Sequence, residues 1–165
     1  LTDIVDALGG VDVYSEYSFY STNFIYYNKG YNYVDGAKAL EFVRERHAFI
    51  DGDFQRGKNQ VALIEAIFKK CIDPSILVKY TSLLESVNGS FATNMSSDKI
   101  TSLIKKQLDE NASWTIKNNN LIGTDSNEYT YSYSANKLAV ILPNEDSVNN
   151  TKALIKEVMN NEKND

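Results

Sequence analysis

The sequence predicts an α/β fold of about five helices and a small mixed sheet, in one domain. Segments with apolar residues at helical spacing are followed by short segments in which apolar and polar residues alternate, as in strands. Of the 165 residues, 42% are hydrophobic and 24% are charged, a balance that suits a globular domain with its own core. The same balance excludes a disordered tail, and a single cysteine excludes a disulfide framework.

The spacing of apolar residues and the positions of capping residues predict the helices and strands of the N-terminal half. Asp35 and Asp53 are each placed to cap a helix, because a carboxylate accepts hydrogen bonds from the free N–H groups of a first turn. In order, we predict a helix over residues 1–8 that Gly9 and Gly10 end, a strand over Val11–Tyr14, loops with one or two short strands over 15–33, a helix from Asp35 to near Arg46, and a helix from Phe54 to about Cys71.

The C-terminal half is predicted by the same signals. Pro74 suits a first helical turn, and Ser97 and Asp146 are each placed to cap a helix. In order, we predict a helix from Pro74 to about Val87, a helix from Ser97 through Leu108, strands over Trp114–Ile116 and Leu138–Leu142, a strand or flap at Tyr129, Tyr131 and Tyr133, a helix from Asp146 through Val158, and a frayed tail over Asn160–Asp165.

Charge and composition exclude several classes of function. A net charge of −5 and a pI of about 4.9 argue against binding to duplex DNA, so we expect no nucleic-acid partner. One histidine and one cysteine exclude a His-rich or Cys-rich metal site, and we assign no metal ligand in this chain. No apolar run approaches the roughly 18 to 20 residues of a membrane span. Because the chain begins at Leu1 without a signal peptide, we expect it to be a piece of a longer protein.

Tyrosine is concentrated near the N-terminus. Seven of the eleven tyrosines fall in one 20-residue stretch. They are Tyr14, Tyr17, Tyr20, Tyr26, Tyr27, Tyr31 and Tyr33. Two interpretations stay open: a half-buried sheet surface, or a platform on which sugar rings stack against aromatic faces.

The three arginines of the chain lie within 13 residues and define the candidate site. Arg44 and Arg46 are two apart, so they share a side where the helix unwinds, and Arg56 and Gln60 share a helical face. Arg56 also lies in a first helical turn, where free N–H groups and the helix dipole favour an anion. Two guanidinium groups at one helix end and a third at the next helix start predict a pocket for a multiply charged anion, and a pyrophosphate fits it better than a carboxylate.

Other interpretations of these residues stay open. Arg44 and Arg46 can instead form ion pairs on a solvated surface. The nearby acids are Glu41, Glu45, Asp51 and Asp53. His47 either donates to a phosphate or is a turn residue. Asp53 is expected to cap a helix, although two carboxylates on a turn can also bind Mg²⁺. We assign no catalytic residue.

Several strings in the chain resemble the LytR-CpsA-Psr family of cell-wall proteins. The first is LGGVDV at Leu8–Val13, the second runs from VDG at Val34 to VRERH ending at His47, and the third is GDFQRGKNQ at Gly52–Gln60. The strings TNMSS at Thr93–Ser97 and LPNEDSVNNTKALI at Leu142–Ile155 are similar to streptococcal-type members. Together they cover nearly the whole chain in the family's order.

The resemblance implies an α-β-α sandwich of which this chain is the C-terminal portion, without the N-terminal half and the membrane anchor. It also implies an extracytoplasmic, membrane-anchored or wall-located protein of a Gram-positive bacterium. The implied reaction transfers a polyprenyl (pyro)phosphate-linked glycopolymer, such as capsular polysaccharide or wall teichoic acid, to peptidoglycan with the help of Mg²⁺. Because the family's metal acids belong to the first half, we expect this chain alone to bind the lipid phosphate without turning it over.

The resemblance also implies roles for individual residues. The arginines clamp the pyrophosphate and the glutamine is a neutral donor, while a histidine and an aspartate support them. These residues are Arg44, Arg46, Arg56 and Gln60, with His47 and Asp53 in support. Val61, Ile64 and Phe68 either line the family's lipid groove or pack in the core.

Two functions other than a transferase stay open, and so does the oligomeric state. The chain could be a non-catalytic module that binds polyprenyl phosphate or glycan, or a regulator of the transcription-attenuator type. The acidic pI argues against a regulator that contacts DNA directly. A sheet edge left uncovered by missing strands leaves two outcomes open: a neighbouring copy covers the edge and forms an oligomer, or the fold rearranges.

Overall fold

A computed structural model describes residues 1–79 and 92–161, which fall into two compact units, Leu1–Ile116 and Lys117–Asp165. The described residues form six helices and six strands, which confirms the α/β class. The helices are α1 (Thr2–Ala7), α2 (Gly36–Arg44), α3 (Gly52–Cys71), α4 (Pro74–Leu77), α5 (Ser97–Glu110) and α6 (Glu145–Asn161). The strands are β1 (Val11–Ser15), β2 (Phe19–Tyr20), β3 (Tyr26–Tyr27), β4 (Gly30–Val34), β5 (Gly123–Thr130) and β6 (Tyr133–Pro143).

The strands pair differently from the small mixed sheet that the sequence predicts. They form three separate antiparallel pairs, β1 with β4, β2 with β3 and β5 with β6. Two of the pairs, β2–β3 and β5–β6, join consecutive strands, and the β1–β4 pair encloses the β2–β3 pair in the sequence. Among the described residues β1 has β4 as its one strand partner, and the predicted oligomer through a sheet edge stays a prediction.

The first unit is built around the β1–β4 pair, on which α3 packs, while α2 contacts both α1 and α3. Alternate residues of β1 face inward, so that Val11, Val13 and Ser15 are buried. The β2–β3 pair adds an aromatic layer, in which the rings of Phe19 and Tyr27 stack at 4.9 Å. The main buried hydrophobic residues are Val5, Leu8, Val11, Val13, Phe19, Tyr27, Val34, Ala39, Phe42 and Leu63.

The helix α2 begins where its sequence predicts. The carboxylate of Asp35 accepts a hydrogen bond from the Lys38 backbone N–H at 2.9 Å, which confirms the predicted cap. Gly36 lets α1 approach closely, since a Cβ at this position would lie 2.5 Å from the carbonyl oxygen of Thr2. The Gly36 backbone N–H also donates to Asp6 Oδ1 at 2.7 Å.

The predicted start of α3 is wrong by two residues. The helix begins at Gly52, so Asp53 lies in its first turn instead of capping it, and Asp51 occupies the cap position without a side-chain cap bond. Asp53 lies inside the helix and pairs with two arginines. This pairing is described with the site below.

The buried face of α3 also differs from the expected apolar stripe of Val61, Ile64 and Phe68. Ile64 is 66% exposed, so the core interpretation is wrong for this residue. Gln55 and Asn59 lie on the buried face instead. Gln55 Nε2 donates to Asn59 Oδ1 at 3.1 Å, and Asn59 Nδ2 donates to a backbone carbonyl of α2 at 3.3 Å. Because the amides find partners, polar residues can occupy a face that a hydrophobic pattern would not assign to the core.

Two predicted elements between α3 and the second unit are corrected. The helix starting at Pro74 ends at Leu77, and residues 80–87 of the prediction lie outside the described part of the chain. No strand forms between residues 111 and 122, so the predicted strand at 114–116 is wrong. The Trp114 indole N–H donates to Gln107 Oε1 at 2.8 Å and its ring packs edge-on against Phe68 at 5.6 Å. These side-chain contacts hold the segment in place without strand pairing.

Helix α5 starts at Ser97, and the preceding residue, Ser96, caps it. Ser96 Oγ accepts from the Lys99 backbone N–H at 3.3 Å, so Ser96 and not Ser97 is the capping residue. At its other end Asn111 adopts a left-handed conformation that closes the helix.

The second unit is a β-hairpin followed by α6. The strand predicted over 138–142 is confirmed within β6, and Tyr129 and Tyr133 lie on the two strands that the turn at Tyr131 joins. Asn144 Oδ1 accepts from the Ser147 backbone N–H at 2.9 Å, so Asn144 takes the capping role predicted for Asp146. Within the described residues no helix has both the length and the apolar character to cross a membrane.

Candidate anion-binding site

The candidate site lies in the first unit, at the turn that joins α2 to α3. Arg44 is the last residue of α2, Arg46 lies in the turn, and Arg56 lies near the start of α3. The helix ends at Arg44 because Glu45 adopts an extended conformation, with φ −65° and ψ 129°. The predicted end near Arg46 is therefore two residues too late, and Arg46 belongs to the turn.

Arg46 and Arg56 converge on a single carboxylate. Arg46 Nη1 lies 3.7 Å and Arg56 Nη2 lies 3.2 Å from the same oxygen, Asp53 Oδ1. All three side chains are accessible, with 49% of Arg46, 36% of Arg56 and 53% of Asp53 exposed. Two guanidinium groups that reach one oxygen can also reach two oxygens of a single phosphate or pyrophosphate group.

The remaining predicted site residues lie beside this pair with different contacts. Arg44 is exposed and forms no ion pair with a described residue, so it does not share Asp53 with the other two arginines. Gln60 Nε2 donates to the backbone carbonyl of Val43 at 3.4 Å, which places the amide next to the end of α2. His47 is exposed and its Nε2 lies 3.4 Å from Arg46 Nε, so both interpretations of this histidine stay open.

Glu45 is the residue that fixes the turn, although the sequence suggests only a surface acid. It is 4% exposed. Its Oε2 accepts from the Thr22 backbone N–H at 2.6 Å and from Thr22 Oγ1 at 2.9 Å. Its Oε1 accepts from the backbone N–H groups of His47 and Ala48 at 2.7 and 3.0 Å. Four donors therefore surround a carboxylate that lies between Arg44 and Arg46 in the sequence.

The protonation state of Glu45 follows from these contacts. Burial alone would raise the pKa of the carboxyl group, since it removes the charged form from water. Hydrogen bonds from Thr22, Ala48 and His47 outweigh burial and hold its pKa below the usual value. Glu45 is therefore charged at neutral pH, and its charge is satisfied by donors other than the arginines.

The acids near the arginines take different partners. Glu41 Oε1 accepts from Asn23 Nδ2 at 2.6 Å, and Glu45 is bonded as described. Among the described residues Asp53 is the one acid of this group that forms an ion pair with an arginine. Nowhere in the described part of the chain do three His, Cys, Asp or Glu side chains group in a way that could hold a metal ion.

Comparison with known proteins identifies the family. The model of the LytR_cpsA_psr family matches residues 1–152. The polyisoprenyl-teichoic acid–peptidoglycan teichoic acid transferase TagU of Bacillus mycoides is 36% identical over 98 residues, which are 59% of this chain and 32% of that protein. The chain thus spans about a third of the length of the curated relatives it matches.

Solved structures agree with this assignment. The Lin1025 protein from Listeria innocua is 28% identical with a TM-score of 0.66, over 94% of this chain and 64% of that one. TagU of B. subtilis is 25% identical with a TM-score of 0.64, over 94% of this chain and 59% of that one. Since the family model accounts for all but the last 13 of the 165 residues, the chain belongs to the LytR-CpsA-Psr family.

Proposed function

We propose that this chain is part of a glycopolymer transferase, and that it supplies the site that binds the pyrophosphate of a polyprenyl-linked substrate. The observation that carries the proposal is the convergence of Arg46 and Arg56 on one oxygen of Asp53. The name of the similar TagU protein indicates the substrate class, since that relative transfers polyisoprenyl-linked teichoic acid to peptidoglycan. Teichoic acid is accordingly the first candidate for the glycopolymer, and capsular polysaccharide is the second.

The reaction explains why cationic side chains are needed. A hydroxyl oxygen of peptidoglycan forms a bond to the phosphorus that carries the glycan, and the hydroxyl loses its proton. The bond from that phosphorus to the bridging oxygen breaks, and polyprenyl phosphate leaves with the electron pair. Negative charge grows on the bridging and non-bridging oxygens, and guanidinium groups at this position stabilise it. Arg44, Arg46 and Arg56 are proposed for this role, with Gln60 as a neutral donor.

The location of the protein follows from the same proposal. Peptidoglycan and teichoic acid lie outside the cytoplasmic membrane, so the chain is proposed to act extracytoplasmically at the wall of a Gram-positive bacterium. The membrane anchor and the requirement for Mg²⁺ stay predictions from the family resemblance. Because the resemblance puts the family's Mg²⁺-binding acids in the first half of the domain, we expect the chain alone to bind the lipid phosphate without releasing product.

Binding of farnesyl pyrophosphate, a short soluble polyprenyl pyrophosphate, tests the proposal. Isothermal titration calorimetry on the full chain is expected to show binding that weakens about tenfold or more when Arg46 or Arg56 is replaced by alanine, since each removes a charged hydrogen-bonding group. Lys106→Ala is the matched control, because it removes one exposed positive charge from α5. Unchanged affinity in Arg44→Ala, Arg46→Ala and Arg56→Ala would refute the proposed site.

A further inference from the structure

A cavity of about 330 Å³ lies in the first unit, between the loop after β1, the turn that joins α2 to α3, and the start of α3. This volume falls within the range of about 300 to 1,000 Å³ that is typical of small-molecule sites. None of the three arginines is among its lining residues, so its ligand need not be the anion proposed above. We refer to it as the Gln55 cavity, and its lining includes Tyr17, Ser18, Phe49, Asp51 and Gln55.

The amide of Gln55 presents a hydrogen-bond acceptor to this cavity. The side chain is 5% exposed, its Nε2 donates to Asn59 Oδ1 at 3.1 Å, and Asn59 Nδ2 donates to the Phe42 carbonyl at 3.3 Å. This series of bonds fixes which end of each amide is the donor. No described residue donates to Gln55 Oε1, and no described side-chain oxygen that is fully enclosed lacks a partner, so Oε1 borders open space. That space is the Gln55 cavity, and a ligand that donates a hydrogen bond there would satisfy the acceptor.

Two aromatic rings border the cavity, and contacts outside it hold both residues in place. The rings of Tyr17 and Phe49 lie 6.2 Å apart at an angle of 48°. Phe49 also packs edge-on against the buried ring of Phe19 at 4.8 Å. The backbone at Tyr17 is fixed because Ser15 Oγ donates to its carbonyl at 2.6 Å. Aromatic faces that are held before a ligand arrives can bind its apolar face at a small cost in ordering.

The other polar groups of the cavity favour a ligand that both donates and accepts hydrogen bonds. Asp51 occupies the cap position of α3 without a side-chain cap bond, so its carboxylate is a second acceptor. Ser18 Oγ accepts from the Lys29 backbone N–H at 2.9 Å and keeps its own hydroxyl hydrogen to donate. A sugar hydroxyl can satisfy both kinds of group, whereas an ammonium group only donates.

A cation already lies near the carboxylate that borders the cavity. Lys58 Nζ pairs with Glu16 at 3.0 Å. The hydrogen bond to Glu16 raises the pKa of the Lys58 ammonium, and the negative charge of Asp51 adds to this shift. Because Asp51 already interacts with Lys58, a cationic ligand would gain less from it than from an isolated carboxylate. The charges around the cavity therefore favour a neutral ligand.

We propose that the Gln55 cavity binds a neutral sugar ring. One face of a pyranose carries C–H groups that pack against aromatic faces, and its edge carries hydroxyls that can donate to Gln55 and Asp51 and accept from Ser18. The inference adds a carbohydrate site to the proposed function and does not rest on the arginines. Under the proposed function the sugar comes from the peptidoglycan acceptor or from the glycopolymer on the lipid, which share this chemistry.

Two soluble trisaccharides that differ in charge test the inference. Tri-N-acetylchitotriose is neutral, and chitotriose at mildly acidic pH carries ammonium groups in place of the acetamides. Neither has a phosphate, so neither needs the anion-binding site. Titration of the full chain, followed by saturation-transfer NMR, is expected to show saturable binding of the neutral sugar that is at least as tight as binding of the cationic one. No saturable binding of the neutral sugar, or tighter binding of chitotriose, would overturn the inference.

Variants test whether the sugar binds in this cavity. Tyr17→Ala removes an aromatic wall, and Gln55→Met removes the acceptor at similar volume. Each is expected to weaken the binding of tri-N-acetylchitotriose about 3- to 10-fold, whereas Tyr17→Phe keeps the ring and is expected to bind nearly as the wild type does. Tyr14→Ala is the matched control, since Tyr14 is 47% exposed against 53% for Tyr17 and its ring also contacts a neighbouring ring.

The variant results can refute the site even if one variant fails to fold. Gln55→Met leaves Asn59 without its donor, so circular dichroism is used to check its fold. Tyr17→Ala changes an exposed side chain and tests the cavity independently. Unchanged affinity in Tyr17→Ala, or an equal loss in Tyr14→Ala, would show that the sugar does not bind in the Gln55 cavity.

Competition identifies the source of the sugar and separates this inference from the proposed function. The competitors are farnesyl pyrophosphate and the same lipid with N-acetylglucosamine on its terminal phosphate. Displacement of the trisaccharide by the sugar-bearing lipid alone supports a site for the carried glycopolymer, and joint binding supports a site for the acceptor. Displacement by both lipids would show that the cavity holds the lipid chain and would refute the sugar site. If the trisaccharide binds and neither lipid does, the proposed function fails and the sugar site stands.

Discussion

Replacing Glu45 with glutamine tests whether one buried carboxylate holds the arginine-bearing turn. The glutamine amide keeps one acceptor oxygen and puts an NH₂ group in place of the other, so two of the four donors lose their acceptor. Hydrogen bonds to charged groups contribute about 1.5 to 3 kcal/mol each. Thr22, His47 and Ala48 are themselves exposed, so water replaces part of the loss. We therefore expect the free energy of unfolding to fall by about 2 to 4 kcal/mol.

Thermal unfolding followed by circular dichroism measures this loss. For a chain of this size each kcal/mol corresponds to roughly 2 to 4 °C, so the midpoint is expected to fall by about 4 to 16 °C. Glu41→Gln is the matched control, since this carboxylate lies four residues earlier, on α2, and accepts one bond from an exposed amide. This control is expected to lower the free energy of unfolding by less than about 1 kcal/mol.

The pH dependence of the free energy of unfolding provides a second test of the role of Glu45. The folded pKa of Glu45 lies below its ordinary value of 4.5, so the carboxylate contributes its full stability above that pH. The contribution is lost as the pH falls through the folded pKa. The stability difference between the wild type and Glu45→Gln is therefore expected to narrow from pH 7 towards pH 3. A constant difference over this range, or equal effects of Glu45→Gln and Glu41→Gln, would refute the reasoning.

Three further predictions concern other parts of the first unit. Asp53→Asn is expected to strengthen the binding of inorganic pyrophosphate about 3- to 10-fold in magnesium-free buffer, because a competing negative charge is removed, and weaker binding in calorimetry would contradict this. Gly36→Ala is expected to lower the free energy of unfolding by about 1 to 3 kcal/mol, since its Cβ meets the carbonyl of Thr2, and an unchanged urea midpoint would show that α1 can move away. Burial raises the pKa of the Cys71 thiol, so iodoacetamide is expected to alkylate it more slowly at pH 8 than it alkylates free cysteine; an equal rate would contradict the burial.

Features that depend on neighbours in the sequence were predictable. The cap at Asp35, the β1 alternation and the proximity of Arg46 to Arg56 across one turn all follow from residues a few positions apart. The structure confirms the cap at Asp35 and the alternation along β1. It also brings the two arginines together, although their binding of an anion stays a prediction.

Features that depend on distant contacts were not predictable from spacing. Glu45 is buried because Thr22, 23 residues earlier, supplies two donors, and no periodic pattern signals such a contact. The buried amides of Gln55 and Asn59 escape a hydrophobic pattern for the same reason, since a carbonyl of α2 completes their network.

The burial of Glu45 also decides how much positive charge the turn presents. Had its carboxylate paired with Arg44 or Arg46, it would have cancelled one of the charges that a pyrophosphate needs. An extended conformation directs alternate side chains to opposite sides, and here Glu45 is buried while both arginines are exposed. The carboxylate is satisfied by Thr22 and by backbone N–H groups. Among the described residues Asp53 is the acid that pairs with these guanidinium groups, and a pyrophosphate, with more charge and more acceptor oxygens than a carboxylate, is the kind of anion that can displace it.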